Sequence, residues 1–220
     1  MKKRALLSLL ATYIIFPSIT FFGSVATAGD WQELHAMSEP ALVEKISEFK
    51  NKLNQKPDDS ETLKALGIAY HFMSTKNPQV YAPLAYKALS KAYERNEVDY
   101  VTLCYLGSAT TMMAMTTSDV SQMGSYASTG IALMDKAVRK APDDITVRLT
   151  RAYNSKGLPD FLGRRSLAIE DFEYVVEIIS KEHFLPVPVK KEVYLNLVEL
   201  YEKSGEKEKA EDYKKLANGI

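Results

Sequence analysis

One spacing recurs four times along the chain, and it restricts the fold to stacked pairs of helices. A large apolar residue is followed three residues on by a second, with a Gly or small residue beside it. Farther along comes a small-x3-large-x2-small run. The first copy reads Leu63, Leu66, Gly67 and Tyr70, then Ala85, Leu89 and Ala92. The second reads Leu103, Leu106, Gly107 and Thr110, then Gly130, Met134 and Ala137. The third is degenerate, with Arg148, Arg151 and Ala152 followed by Ala168, Phe172 and Val175. The fourth is compact, running through Tyr194, Leu197, Val198, Tyr201, Gly205, Ala210, Lys214 and Ala217. Steps of three and four place these residues on one helical stripe. Small residues let two helices approach closely, and the large ones fill the ridges between them. One such hairpin cannot bury its own stripe, so the copies must stack.

These residues resemble the tetratricopeptide repeat. The resemblance implies an all-α, right-handed solenoid of about four hairpins, at about 60–99, 100–142, 145–180 and 191–220. It implies a non-enzymatic adaptor or scaffold whose peptide-binding groove is the concave surface made by the first helix of each pair. Carried onto this chain, that groove is lined by Lys64, Ile68, His71 and Phe72, by Cys104, Ser108, Thr111 and Met112, and by Leu149, Tyr153 and Lys156. The mixture is apolar and weakly basic. It suits an extended peptide or a partner helix that carries a carboxylate.

Punctuation between the repeats sets the same frame. Lys56-Pro57-Asp58-Asp59 and Lys140-Ala141-Pro142-Asp143-Asp144 each stop a helix with proline and supply an aspartate for the free amides of the next one. Ahead of them, Trp31, Leu34, Met37, Leu42, Ile46, Phe49 and Leu53 keep helical spacing. That spacing predicts a helix over 29–56 that caps the front of the solenoid, with Pro40 in its main first turn. Three hairpin turns carry extra residues, beginning at Ser74, at Thr116 and at Gly157. They are expected to project from one edge as sites of specificity. Phe184-Leu185-Pro186-Val187-Pro188 reads as an extended connector.

Residues 1–28 read as an address. Lys2, Lys3 and Arg4 precede an apolar run that ends in Ala26-Thr27-Ala28, which fits a small-x-small cleavage site before Gly29. The expectation is export to a bacterial periplasm, with membrane contact only through this segment if it stays uncleaved. The whole chain balances 28 basic against 28 acidic residues, so loss of the leader leaves a modest acidic excess. Nothing in that balance favours binding to nucleic acid, which needs a clustered basic surface. One cysteine, Cys104, precludes an internal disulfide. The partner expected is another protein or peptide of the cell envelope, or an identical copy.

The third repeat departs from the pattern. Arg148 and Arg151 stand where large apolar residues belong and share a helix face. Glu170 and Asp171 on the repeat's second helix are candidate partners, with Arg164 and Arg165 at that helix's start. One reading is a buried ion-pair network, since a buried guanidinium needs partners. The alternative is an anion or carboxylate pocket, because arginine forks hold such groups bidentately. A periplasmic accessory protein for a small anionic ligand or a metal is the corresponding second function.

Other chemistry finds little support. Met112, Met113, Met115 and Met123 offer soft ligands for Cu(I) but lack repeated order, and helical spacing explains Met112 and Met115 as packing. His35, His71 and His183 are scattered, so no metal or cofactor is expected. No nucleophile elbow, phosphate loop or dinucleotide fingerprint is present. Cys104 with His71 is the one imaginable nucleophile and base. A lone cysteine on an apolar helix is more often buried and inert.

Overall fold

A computed structural model describes residues 29–181 and 185–220. The expected leader, His183 and the first residue of the Phe184–Pro188 connector lie outside the described residues. Within them the chain forms ten α-helices: α1 (Gly29–Ala36), α2 (Glu39–Gln55), α3 (Ser60–Ser74), α4 (Pro78–Arg95), α5 (Tyr100–Met113), α6 (Val120–Lys140), α7 (Ile145–Gly157), α8 (Arg165–Lys181), α9 (Val187–Ser204) and α10 (Lys207–Asn218). The last eight pair as α3/α4, α5/α6, α7/α8 and α9/α10. Each second helix then packs on the first helix of the next pair, so the architecture is an all-α solenoid of four hairpins. No described helix is long and apolar enough to cross a membrane.

Local chemistry starts these helices where the spacing places them. Asp59 accepts from the Thr62 amide at 2.9 Å, and Asp144 accepts from the Val147 amide at 3.0 Å. Each satisfies a donor that a helix start leaves free. Asp99 caps α5 in the same way through the Thr102 amide, at 2.9 Å, so the first helices of three successive hairpins all start on an aspartate. Pro40, Pro78 and Pro188 sit in first turns, where a missing amide proton costs nothing.

Close helix contact is real at the predicted glycines. A Cβ built on Gly67 would stand 2.5 Å from the Leu89 Cγ, and one on Gly107 would stand 2.7 Å from the Gly130 carbonyl oxygen. Ala85, Ala152 and Ala168 are fully buried at the corresponding crossings. The core runs through the molecule from Leu42 and Ile46 to Tyr201 and Ala210. A second cluster of Leu103, Cys104, Met134, Ala137, Val138 and Val147 lies between α5, α6 and α7.

Two sequence expectations take a different form. The single leading helix is broken at Met37–Ser38 into α1 and α2, because Pro40 starts a new helix instead of continuing an old one. The turn residues expected to project are mostly helical. Ser74 is the last residue of α3, and Val120–Gly124 form the first turn of α6 after Asp119 caps it. Short turns remain at Thr75–Asn77 and Thr117–Asp119, and the longest, Leu158–Arg164, is tightened by a short 3-10 segment over Asp160–Leu162 that Gly163 closes at φ +66°.

Candidate functional site

The first helices α3, α5, α7 and α9 form one side of the solenoid, and α1 turns back across that face. Leu34 is buried in the main core, while the His35 ring meets Phe72 edge-on at 5.4 Å and Tyr153 at 5.9 Å. His35 Nε2 also lies 3.0 Å from Glu192 Oε2 on α9. This helix of eight residues thus touches the first, third and fourth hairpins at once. Hydrogen bonding from His35, together with the charges around it, holds the Glu192 carboxyl below the usual carboxylate range.

Beneath α1 lies a polar floor supplied by three successive first helices. His71 Nε2 is 2.7 Å from Ser108 Oγ, and the Asn154 amide nitrogen donates to Ser108 Oγ at 2.9 Å and to Thr111 Oγ1 at 2.6 Å. His71 Nδ1 and Asn154 Oδ1 are buried without a partner. Burial, with a smaller contribution from the nearby His35, pushes the His71 pKa down to about 4. The ring is neutral near pH 7.

The predicted groove residues do not share one environment. Phe72, His71 and Tyr153 do lie on the face that α1 crosses. Lys64 and Lys156 bridge repeats instead: Lys64 donates to Asp99 Oδ2 at 3.1 Å, and Lys156 pairs with Glu199 Oε2 at 2.5 Å. Ile68, Cys104 and Leu149 are buried in the core, contrary to the groove assignment. Ile68 of α3 and Leu149 of α7 pack into the main core, and Cys104 lies on α5, which is buried on every side with an unbroken buried run from Thr102 to Thr111. Ser108 and Thr111 reach the polar floor from within that run, and Met112 stays partly exposed.

Cys104 and His71 do not form a catalytic pair. The Cys104 thiol donates to the Val147 carbonyl at 3.4 Å, and burial raises its pKa well above the ordinary thiol value. The resulting thiol is a poor nucleophile. Among the described residues no three His, Cys, Asp or Glu side chains converge as a metal site would need.

The arginines form a network on the other side of the third repeat. Arg151 holds the fully buried Asp171 with both arms of its fork, Nε at 2.7 Å and Nη2 at 2.8 Å. Arg148 shares Asp171 at 2.8 Å, reaches Glu170 at 3.1 Å and lies over the Tyr174 ring at 4.5 Å. Arg164 grips Asp135 of α6 bidentately, at 2.9 and 2.6 Å, and Asp135 also accepts from Arg151 at 3.2 Å. Burial works against the charge on Asp135, yet the two arginines keep its carboxyl below the usual range. Three guanidinium groups face three carboxylates, Asp135, Glu170 and Asp171. Arg165 stands apart, paired with Asp160 at 2.6 Å.

Asp135 is the member that sequence reasoning missed. It belongs to the preceding repeat, 16 residues from Arg151 along the chain. Its only signal is a carboxylate one residue after Met134, on a helix whose other face is apolar.

No family profile matches the chain, and no curated protein matches it. Among solved structures, the crystal structure of a thermophilic TPR protein from Thermus thermophilus is similar. The two share 19% sequence identity and a TM-score of 0.58, over 78% of this chain and 79% of that one. The likeness is one of fold, and it agrees with the repeat frame: the chain has a tetratricopeptide-type α-solenoid fold.

Proposed function

We propose that this protein is a non-enzymatic adaptor that binds a short segment of another protein across the face formed by α3, α5, α7 and α9, in the bacterial cell envelope. The observation that carries the reading is α1 itself. The chain lays one of its own helices on an aromatic strip of Phe72 and Tyr153, so this face receives a helix. Beneath that helix, His71 Nδ1 and Asn154 Oδ1 are buried without a partner. The sequence of 1–28 supports export, and N-terminal sequencing of the mature protein should begin at Gly29.

A photo-crosslinking residue placed at partly exposed Met112 in the full chain should capture one partner in living cells. The same residue at exposed Lys87 on α4 should not. Equal capture from both faces, or none from Met112, would sink the groove assignment. The paired charges of Arg148 and Arg151 support a structural role for them, since neither fork is left open for a ligand.

A further inference from the structure

We infer that a carboxylate-binding site lies between the third and fourth hairpins, in a cleft at the N-terminus of α8 with Arg164 and Ser155 as its inner wall. The cleft has room for about one water-sized group and is bounded by Leu158, Pro159 and Leu200. Two of its lining residues carry a buried donor without a partner. One is Arg164 Nε, on a residue 8% exposed; the other is the Ser155 hydroxyl, on a residue 2% exposed. Asp135 occupies both terminal nitrogens of Arg164, so Nε is the donor of this guanidinium that is left over.

Charge favours an anion there. Lys156, Arg165 and Lys203 stand at the rim. Asp160 pairs with Arg165 at 2.6 Å, and Glu199 serves both lysines, at 2.5 and 2.7 Å. Three cations share two carboxylates, which leaves one positive charge in excess. The start of α8 adds free amide protons and the positive end of a helix dipole. A charged donor left unpaired in a buried place is costly, and an oxygen that carries negative charge satisfies it better than a neutral one. A carboxylate can seat one oxygen on the Arg164 and Ser155 donors while its other oxygen stays toward the rim. The apolar wall accommodates the carbon to which the group is attached.

The test is thermal unfolding of the full-length protein, titrated with sodium acetate against sodium chloride at constant ionic strength. Acetate should raise the midpoint saturably, and chloride should not. Ser155→Ala removes a donor with no present partner, so without acetate it should melt no lower than the parent. With acetate its half-saturation concentration should rise at least fivefold. Lys203→Gln at the rim should weaken the acetate response without altering the basal midpoint. A short peptide with a free C-terminal carboxylate distinguishes the source: tighter saturation than acetate identifies a protein terminus, and equal saturation a small acid. Equal responses to acetate and chloride would overturn the carboxylate assignment. A Ser155→Ala protein that melts lower than the parent to the same extent in every salt would show that only water bonds the two donors, and would overturn the site altogether.

Discussion

Single atoms decide the behaviour of two residues here. The backbone atoms that a Cβ on Gly107 would meet, the Gly130 carbonyl oxygen at 2.7 Å and the Met134 nitrogen at 2.9 Å, cannot rotate away. Gly107→Ala should therefore destabilise by about 1–3 kcal/mol through overpacking, and Gly107→Leu should abolish the fold. Gly124 lies in the same hairpin with nothing within 4 Å of such an atom, so Gly124→Ala should stabilise by about 0.5–1 kcal/mol. Urea midpoints of the two alanine variants should move in opposite directions. His71 supplies the pH dependence. Its folded pKa of about 4 lies below the ordinary histidine value, so the unfolded chain binds a proton that the folded one refuses. The stability it confers is complete above about pH 6.5 and is lost as the pH falls toward 4. Thermal midpoints should drop across that window, and His71→Asn should flatten the slope.

At the scale of helices, the third hairpin shows how a charged network substitutes for apolar ridges. Arg151→Met leaves Asp171 buried with half its partners, a loss of about 3–5 kcal/mol measurable by denaturant titration. Arg151→Met with Asp171→Leu should recover much of that loss, because apolar pairs often replace buried ion pairs without penalty. This is also where the sequence was least legible. The caps and the glycine crossings are local, so Asp59, Asp144, Gly67 and Gly107 could be placed from spacing alone. The partners of Arg148, namely Glu170 and Asp171, were within reach because they share its hairpin. Asp135 was not, since a contact between successive hairpins depends on how far one rotates over the next, and no spacing rule encodes that angle. The groove misassignment of Cys104 and Leu149 has the same origin. A repeat pattern tells which helix comes first in a pair, but not which of its residues the next hairpin covers, as α7 covers Cys104 at Val147, nor what else the chain lays upon that side.

For the molecule as a whole, that additional layer is α1. It joins α2 through two residues, Met37 and Ser38, yet reaches Glu192 in the fourth hairpin, 157 residues from His35. Leu34→Asp with His35→Ala should release it, and hydrogen exchange should then quicken in α1 and along the inner sides of α3, α7 and α9. Exchange in α4 and α6 should be unchanged. Stacked hairpins ordinarily flex like a coiled spring, each joint yielding a little. A strap between the first and last coils removes that compliance and makes the His35–Glu192 link the first element to bear load. Stretched from Gly29 and Ile220 in an optical trap, the protein should yield an initial low-force extension of roughly 30 Å, the contour of the freed strap, before any hairpin opens. Rupture that begins with a full hairpin would show that the strap carries no tension.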